Sequence, residues 1–165
     1  MNIKIFSRKN LVKFLQSETG YDVIVITEPD ETYLLEDIKK LTSGELLHLE
    51  FDDVEFDSEQ MRTRWSPPQT HHVTEALFWA TGRDNIAVAC MAGVSRSSAI
   101  AYAILSSRVG AVEAANCLEY GRHRPNKLIT KITENILNDP QITSITDSYS
   151  NYIDDVIIFS EKRKP

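Results

Sequence analysis

An α/β fold, with a central, mostly parallel sheet of four to five strands flanked by helices, is predicted for this chain on two observations. Short apolar runs alternate along the sequence with longer helix-like segments, the order that builds parallel sheets. The run IAVAC, residues 86–90, is apolar without polar alternation. A strand of that kind is covered on both faces, and is therefore central and parallel. Residues at its C-terminal end face the crevice where ligands bind in such sheets.

Taken in order, the strands are expected over Ile3–Phe6, Asp22–Ile26, Leu46–Phe51 and Ile86–Cys90. The polar stretch DDVEFDSEQMRTRWSPP, from Asp52 to Pro68, has no clear period and reads as a surface loop entering a helix. From Ser97 to Arg108, Ala99, Ile100, Ala103 and Ile104 recur at helical spacing and give a small-residue face for close packing on the sheet. Gly110 separates this helix from a second, Ala111 to Tyr120; Gly121 and Pro125 mark a break before a third, Asn126 to Leu137. At 165 residues and 42% hydrophobic composition the chain has the length of one domain. Its core is expected over about residues 1–140, with a C-terminal extension over 141–165 in which DVIIF reads either as a strand or as a buried helical piece and EKRKP as frayed.

Composition narrows the partners. A net charge of −6 disfavours nucleic acid and anionic membrane, both of which reward a positive surface. The N-terminus MNIKIFSRKN lacks the pattern of a signal peptide, and no apolar run reaches spanning length. The two cysteines, Cys90 and Cys117, stand in no metal-binding or CxxC spacing, so a reducing compartment, the cytoplasm, is expected, with no metal and no cofactor.

The chemistry is concentrated in Cys90-Met91-Ala92-Gly93-Val94-Ser95-Arg96-Ser97-Ser98, between a buried strand and a helix start. A tight loop of small residues there can turn its backbone N–H groups inward as a nest, with the positive end of the helix aimed at the same point. That field suits a phosphate dianion, and with Arg96 it favours the thiolate of Cys90 over the thiol, making a nucleophile. A guanidinium holds two phosphoryl oxygens at once, which an ammonium does less well.

The string CMAGVSRSSA resembles the signature loop of the protein tyrosine phosphatases, and within them the compact dual-specificity branch, whose loop is written HCxAGxSRS. The Phe-Asp-Asp stretch at 51–53 and the Pro125-Asn126 pair also stand where the family has counterparts, and the early YDVIVITEPD resembles the strand and turn of compact prokaryotic or viral members, so the resemblance spans roughly residues 1–140. It implies a phosphotyrosine protein phosphatase-like fold and a two-step, metal-free hydrolysis. Cys90 takes the phosphoryl group, Met91, Ala92, Gly93, Val94, Ser95 and Arg96 cradle it, and Ser97 assists thiolate departure. The leaving oxygen needs an acid from another loop. Asp53 matches the family's acid best by its distance from the preceding strand, with Asp52 and Asp57 as alternatives. The partner implied is a phosphorylated protein or peptide, bound through its phosphate, with phosphotyrosine first and phosphoserine or phosphothreonine open.

Two features pull elsewhere. Ala89 stands where the family has histidine, which implies a lower rate or a higher pH optimum and leaves open a pseudophosphatase that binds phosphorylated partners without turnover. Asp139-Pro140 resembles the acid pair of the low-molecular-weight tyrosine phosphatases, but there the Cys loop follows the first strand, so the pair reads here as a helix stop. His71 and His72, about 100° apart on a helix, read as solvated surface rather than metal ligands, and His48 has no ligand partner in the sequence. Cys117 reads as a small buried hydrophobe. Arg122, His123, Arg124 and Lys127 form a basic cluster around Pro125, where it either attracts phosphorylated segments or is a solvated helix end.

Overall fold

The structure, a computed structural model, describes residues 1–149. Strands β1 (Asn2–Ser7), β2 (Asp22–Thr27), β3 (Leu46–Glu50) and β4 (Asn85–Cys90) form one sheet in the order β1-β4-β2-β3. Every pairing is parallel. The helices are α1 (Arg8–Ser17), α2 (Leu35–Leu41), α3 (Glu59–Arg62), α4 (Thr70–Trp79), α5 (Arg96–Val109), α6 (Ala111–Ala114) and α7 (Lys127–Leu137). Residues 141–149 are helical as well. The predicted fold class holds, with four strands among the described residues.

The period of two along β2 and β4 explains why both read as continuous apolar runs. Val23, Val25, Ala87 and Ala89 pack with Leu11 and Leu15 of α1 and with Leu35 and Ile38 of α2. Ile24, Ile26, Ile86, Val88 and Cys90 face the other way, onto Val73 and Ala76 of α4, Ile129 of α7 and the expected Ala99, Ile100, Ala103 and Ile104 face of α5. Both faces of the sheet are therefore dry, as the unpatterned IAVAC run requires. The chain steps from β1 to β3 with its helices on one face, then returns to the sheet centre at β4 with helices on the other. That reversal puts a crevice at the C-terminal end of β4.

Three expectations need correction. The stretch 52–68 is not a plain loop: Asp52 N–H donates to Ser66 O at 2.7 Å, Ser66 N–H returns a bond to Asp52 Oδ2 at 2.6 Å, and α3 sits inside the clamp, capped by Ser58. The helix expected to run from Ala111 to Tyr120 ends at Ala114 and passes through a 3-10 turn, Ala115–Cys117, into extended backbone at Leu118. Asn116 and Cys117 are weak helix formers, and Leu118 is nearly buried beside Tyr102 and Ile142, so burial wins over helix continuation. His72 is not solvated: it is half-buried against the Phe51 ring, its Nδ1 accepts from Gln69 N–H to cap α4, and burial with the neighbouring His71 charge pushes its pKa down to about 4. Asp139-Pro140 does stop α7, after Asn138 in the left-handed region, and Asp139 Oδ1 accepts from Gln141 N–H as the next helical stretch begins. DVIIF and EKRKP lie outside the described residues.

Candidate active site

All four strands aim their C-terminal ends at one place. From β1 come Ser7 and Arg8, from β2 Glu28, from β3 Phe51 to Asp53, and from β4 Cys90 with the loop that leads into α5. Cys90 is buried at the end of β4, and its Sγ lies 3.2 Å from Ser97 Oγ, itself fully buried in the first turn of α5. Ala89 is on the opposite face of the strand, in the cluster beneath α1 and α2.

The loop between them is held from outside by its carbonyls. Val94 O accepts from Arg124 N–H at 3.0 Å and from Ser98 Oγ at 2.5 Å; Ser95 O accepts from Ala99 N–H, Asn126 N–H and Ser98 Oγ. In a trans peptide the next residue's N–H points opposite to the carbonyl, so the N–H groups of Ser95 and Arg96 are turned away from those anchors and inward. Ser95 is the N-cap residue of α5 but gives its hydroxyl to Asp53 Oδ1 at 2.7 Å instead of accepting from the helix. No side chain caps α5 among the described residues. A fourteen-residue helix thus begins with its N–H groups open beside a thiol, which is the layout that binds an anion.

Gly93 is what lets the loop close down on β1. Its φ is +73°, and a Cβ there would lie 2.5 Å from the Phe6 carbonyl carbon and 2.8 Å from its oxygen, backbone atoms that cannot step aside. Gly93→Ala is expected to cost about 2–5 kcal/mol, the left-handed penalty plus overpacking. A drop in melting temperature together with loss of phosphate binding checks this; a variant as stable as the parent contradicts it.

Arg96 is buried, and its guanidinium is spread over two strand ends. Nη1 donates to Phe51 O at 3.0 Å and Nη2 to Glu28 Oε1 at 2.5 Å, while Nε stands 3.7 Å from Asp53 Oδ2. Nε is buried with no hydrogen-bond partner among the described residues. Of five guanidinium N–H groups only two are spoken for by these hydrogen bonds, and a buried donor without one calls for an acceptor.

The three acidic candidates separate cleanly. Asp53 is brought to the loop, accepting from Ser95 Oγ and, at 2.8 Å, from Asn126 Nδ2. Asn126 also donates to Val54 O and accepts from Ile129 N–H as the cap of α7, so one side chain fixes the Asp53 loop to the helix that follows Pro125. Asp52 is occupied by Ser66, as described above. Asp57 is held in a two-point fork by Arg62, whose hydrogen bonds keep the carboxyl below the usual carboxylate range, and also accepts from Gln69.

The basic cluster divides. His123 is buried, with Nδ1 accepting from Glu119 N–H and burial holding its pKa down, and Arg122 pairs with Glu119; the backbone of Arg124 to Asn126 is what meets the loop. Cys117 is a free thiol whose burial pushes its pKa up to about 12, in keeping with a packing role. Met91 is exposed at the rim. Two residues of the site, Arg8 and Glu28, were not singled out by the sequence; the signal for them was position alone, directly after a predicted parallel strand. No described helix is long and apolar enough to cross a membrane.

No family model matches the chain, and no curated protein does. Solved structures do. Tk-PTP in its active form is 17% identical with a TM-score of 0.55, over 84% of this chain and 93% of that one. PTPMT1 in complex with PI(5)P is 18% identical with a TM-score of 0.56, over 87% and 93%. The human tyrosine phosphatase-like serine/threonine/tyrosine-interacting protein is 15% identical with a TM-score of 0.51, over 82% and 90%. The chain has the fold of the protein tyrosine phosphatases.

Proposed function

We propose that this chain is a cysteine-dependent phosphatase that hydrolyses phosphotyrosine in proteins or peptides, with phosphoserine and phosphothreonine open to the same chemistry. The observation that carries the reading is the Cys90 thiol at the uncapped start of α5, within reach of Ser97 and beside the Nε of Arg96, which is buried without a hydrogen bond among the described residues and stands 3.7 Å from Asp53 Oδ2. The Cys90 thiolate attacks phosphorus in line, the bond from phosphorus to the ester oxygen breaks, and that oxygen takes a proton from Asp53. Water then gives a proton to Asp53 and attacks phosphorus; the sulfur–phosphorus bond breaks, and the returning thiolate is met by the Ser97 hydroxyl. The backbone of the loop from Met91 to Arg96, with the Arg96 guanidinium, holds the equatorial oxygens throughout, where positioning and charge do most of the work in phosphoryl transfer.

Between Cys90 and Arg96 the loop residues Met91, Ala92, Gly93, Val94 and Ser95 are all neutral. PTPMT1 is in complex with PI(5)P; a loop without lysine offers a polyphosphorylated headgroup little extra charge, which supports a phosphoprotein as substrate here. The cytoplasm is the compartment that suits such a thiol.

Turnover of p-nitrophenyl phosphate in the presence of a chelator tests the reading, and Asp53→Asn sharpens it. The variant is expected to lose about 10²-fold in kcat on phenyl phosphate, whose leaving group needs a proton, and much less on p-nitrophenyl phosphate. Equal losses on the two esters would remove Asp53 from the role of acid. A wild type that binds phosphotyrosine peptides and hydrolyses neither ester is a phospho-binding module instead.

A further inference from the structure

Arg8 opens α1 and is fully buried, although none of the steps above uses it. Burial removes its charge from water and the helix N-terminus repels it, so both terms oppose a cation at this place. The register that pairs Ser7 with Cys90 sets Arg8 just past the level of the thiol. Its Nη1 donates to Tyr33 O at 3.0 Å, and its Nη2 lies 3.5 Å from Met91 Sδ, pairs with Glu31 and stands 3.6 Å from Glu28 Oε2. The other oxygen of Glu28 is the one that holds Arg96. One carboxylate is therefore shared by two buried guanidiniums, one at the end of β1 and one at the start of α5. Burial works against the Glu28 charge, but a hydrogen bond from its own backbone N–H and the charges of Arg96 and Arg8 keep its carboxyl below the usual range, so it is an anion in competition with any other that approaches Arg96.

We propose that Arg8 is a positioning residue for the anion site: by drawing on Glu28 it keeps that carboxylate from neutralising Arg96, and so leaves Arg96 available to phosphate. This rests on the oxyanion reading above. Glu28 and the substrate dianion compete for one guanidinium. With Arg8 in place the carboxylate is divided between two cations; without it the whole charge falls to Arg96, and phosphate has to displace it. Glu31 works in the opposite sense, because it occupies Arg8 and weakens its hold on Glu28.

The test is the affinity for inorganic phosphate, measured as competitive inhibition of p-nitrophenyl phosphate turnover and by calorimetry. Arg8→Met is expected to raise both KM and the phosphate dissociation constant about 10-fold or more, with kcat changed by less than about threefold. Adding Glu28→Gln to Arg8→Met is expected to return both constants most of the way to wild type, a rescue that a merely structural arginine does not allow. Phosphate affinity unchanged in Arg8→Met, or lowered without rescue, overturns the proposal. Where Arg8→Met does not fold, Glu31→Gln decides: it leaves Arg8 in place and is expected to tighten phosphate about threefold, and unchanged or weaker binding overturns the proposal. A wild type that binds no phosphate overturns the phosphatase reading and this one with it; a wild type that binds it while the Arg8 variants bind equally well overturns this one alone.

Discussion

Cys90→Ser is expected to lower turnover of p-nitrophenyl phosphate by about 10⁴-fold or more, while phosphate and phosphotyrosine peptides still bind within a few-fold of wild type. The two parts of this outcome have separate causes. The proposed oxyanion cradle is the loop, the uncapped start of α5 and the Arg96 guanidinium, none of which is touched by exchanging sulfur for oxygen. The nucleophile is removed, because a serine hydroxyl at the same place is a far weaker nucleophile than sulfur. Serine also fits the site, since Cys90 already faces the Ser97 hydroxyl at 3.2 Å and a hydroxyl can make the same contact. Steady-state kinetics alongside calorimetric binding would show the split. Turnover within tenfold of wild type would place the nucleophile elsewhere.

The second large effect is expected from Arg96→Ala, a loss of about 10³-fold in kcat/KM, of the size that removing a preorganised charge from a transition-state cradle produces. The damage has a structural component. Glu28 and Phe51 O lose a partner together, and the Glu28 side chain is only about a third exposed, at 32%. Leaving such groups unpaired costs about 1–3 kcal/mol, visible in a thermal melt. Arg96→Lys separates the two components: it restores a charge near Glu28 but not the fork, so stability should recover further than kcat/KM. An Arg96→Ala protein with kcat/KM within threefold of wild type would contradict the clamp.

The parallel sheet was legible because it rests on a local pattern, the unpatterned IAVAC run of a central strand. The candidate site rests on a local pattern too, the Cys-to-Arg loop between a strand and a helix, which is why the sequence could propose it. Asp53 was preferred in the sequence by its distance from the preceding strand, and what occupies Asp52 and Asp57, the clamp with Ser66 and the fork from Arg62, is visible only in space. Arg8 and Glu28 were hidden for a related reason. A lone arginine after a strand looks like a solvated helix start, and only the convergence of strand ends some twenty residues apart in sequence turns it into a buried charge. The short α6 shows the opposite limit, where the tertiary burial of Leu118 overrides a helical run that local propensity favoured.

The strand order carries a consequence for how the protein is made. β4 lies between β1 and β2, so the strand that ends in the thiol pairs with partners from the beginning of the chain, Asn2 with Asn85 at the far end of the register. Contacts of such long sequence separation must pay loop-closure entropy before they return any energy, and they slow folding. Asn126 docks on Asp53 later still in the chain. During synthesis on the ribosome, then, both strand partners of β4 have emerged before Cys90 appears, whereas Asn126, which ties the Asp53 loop to α7, is still to come.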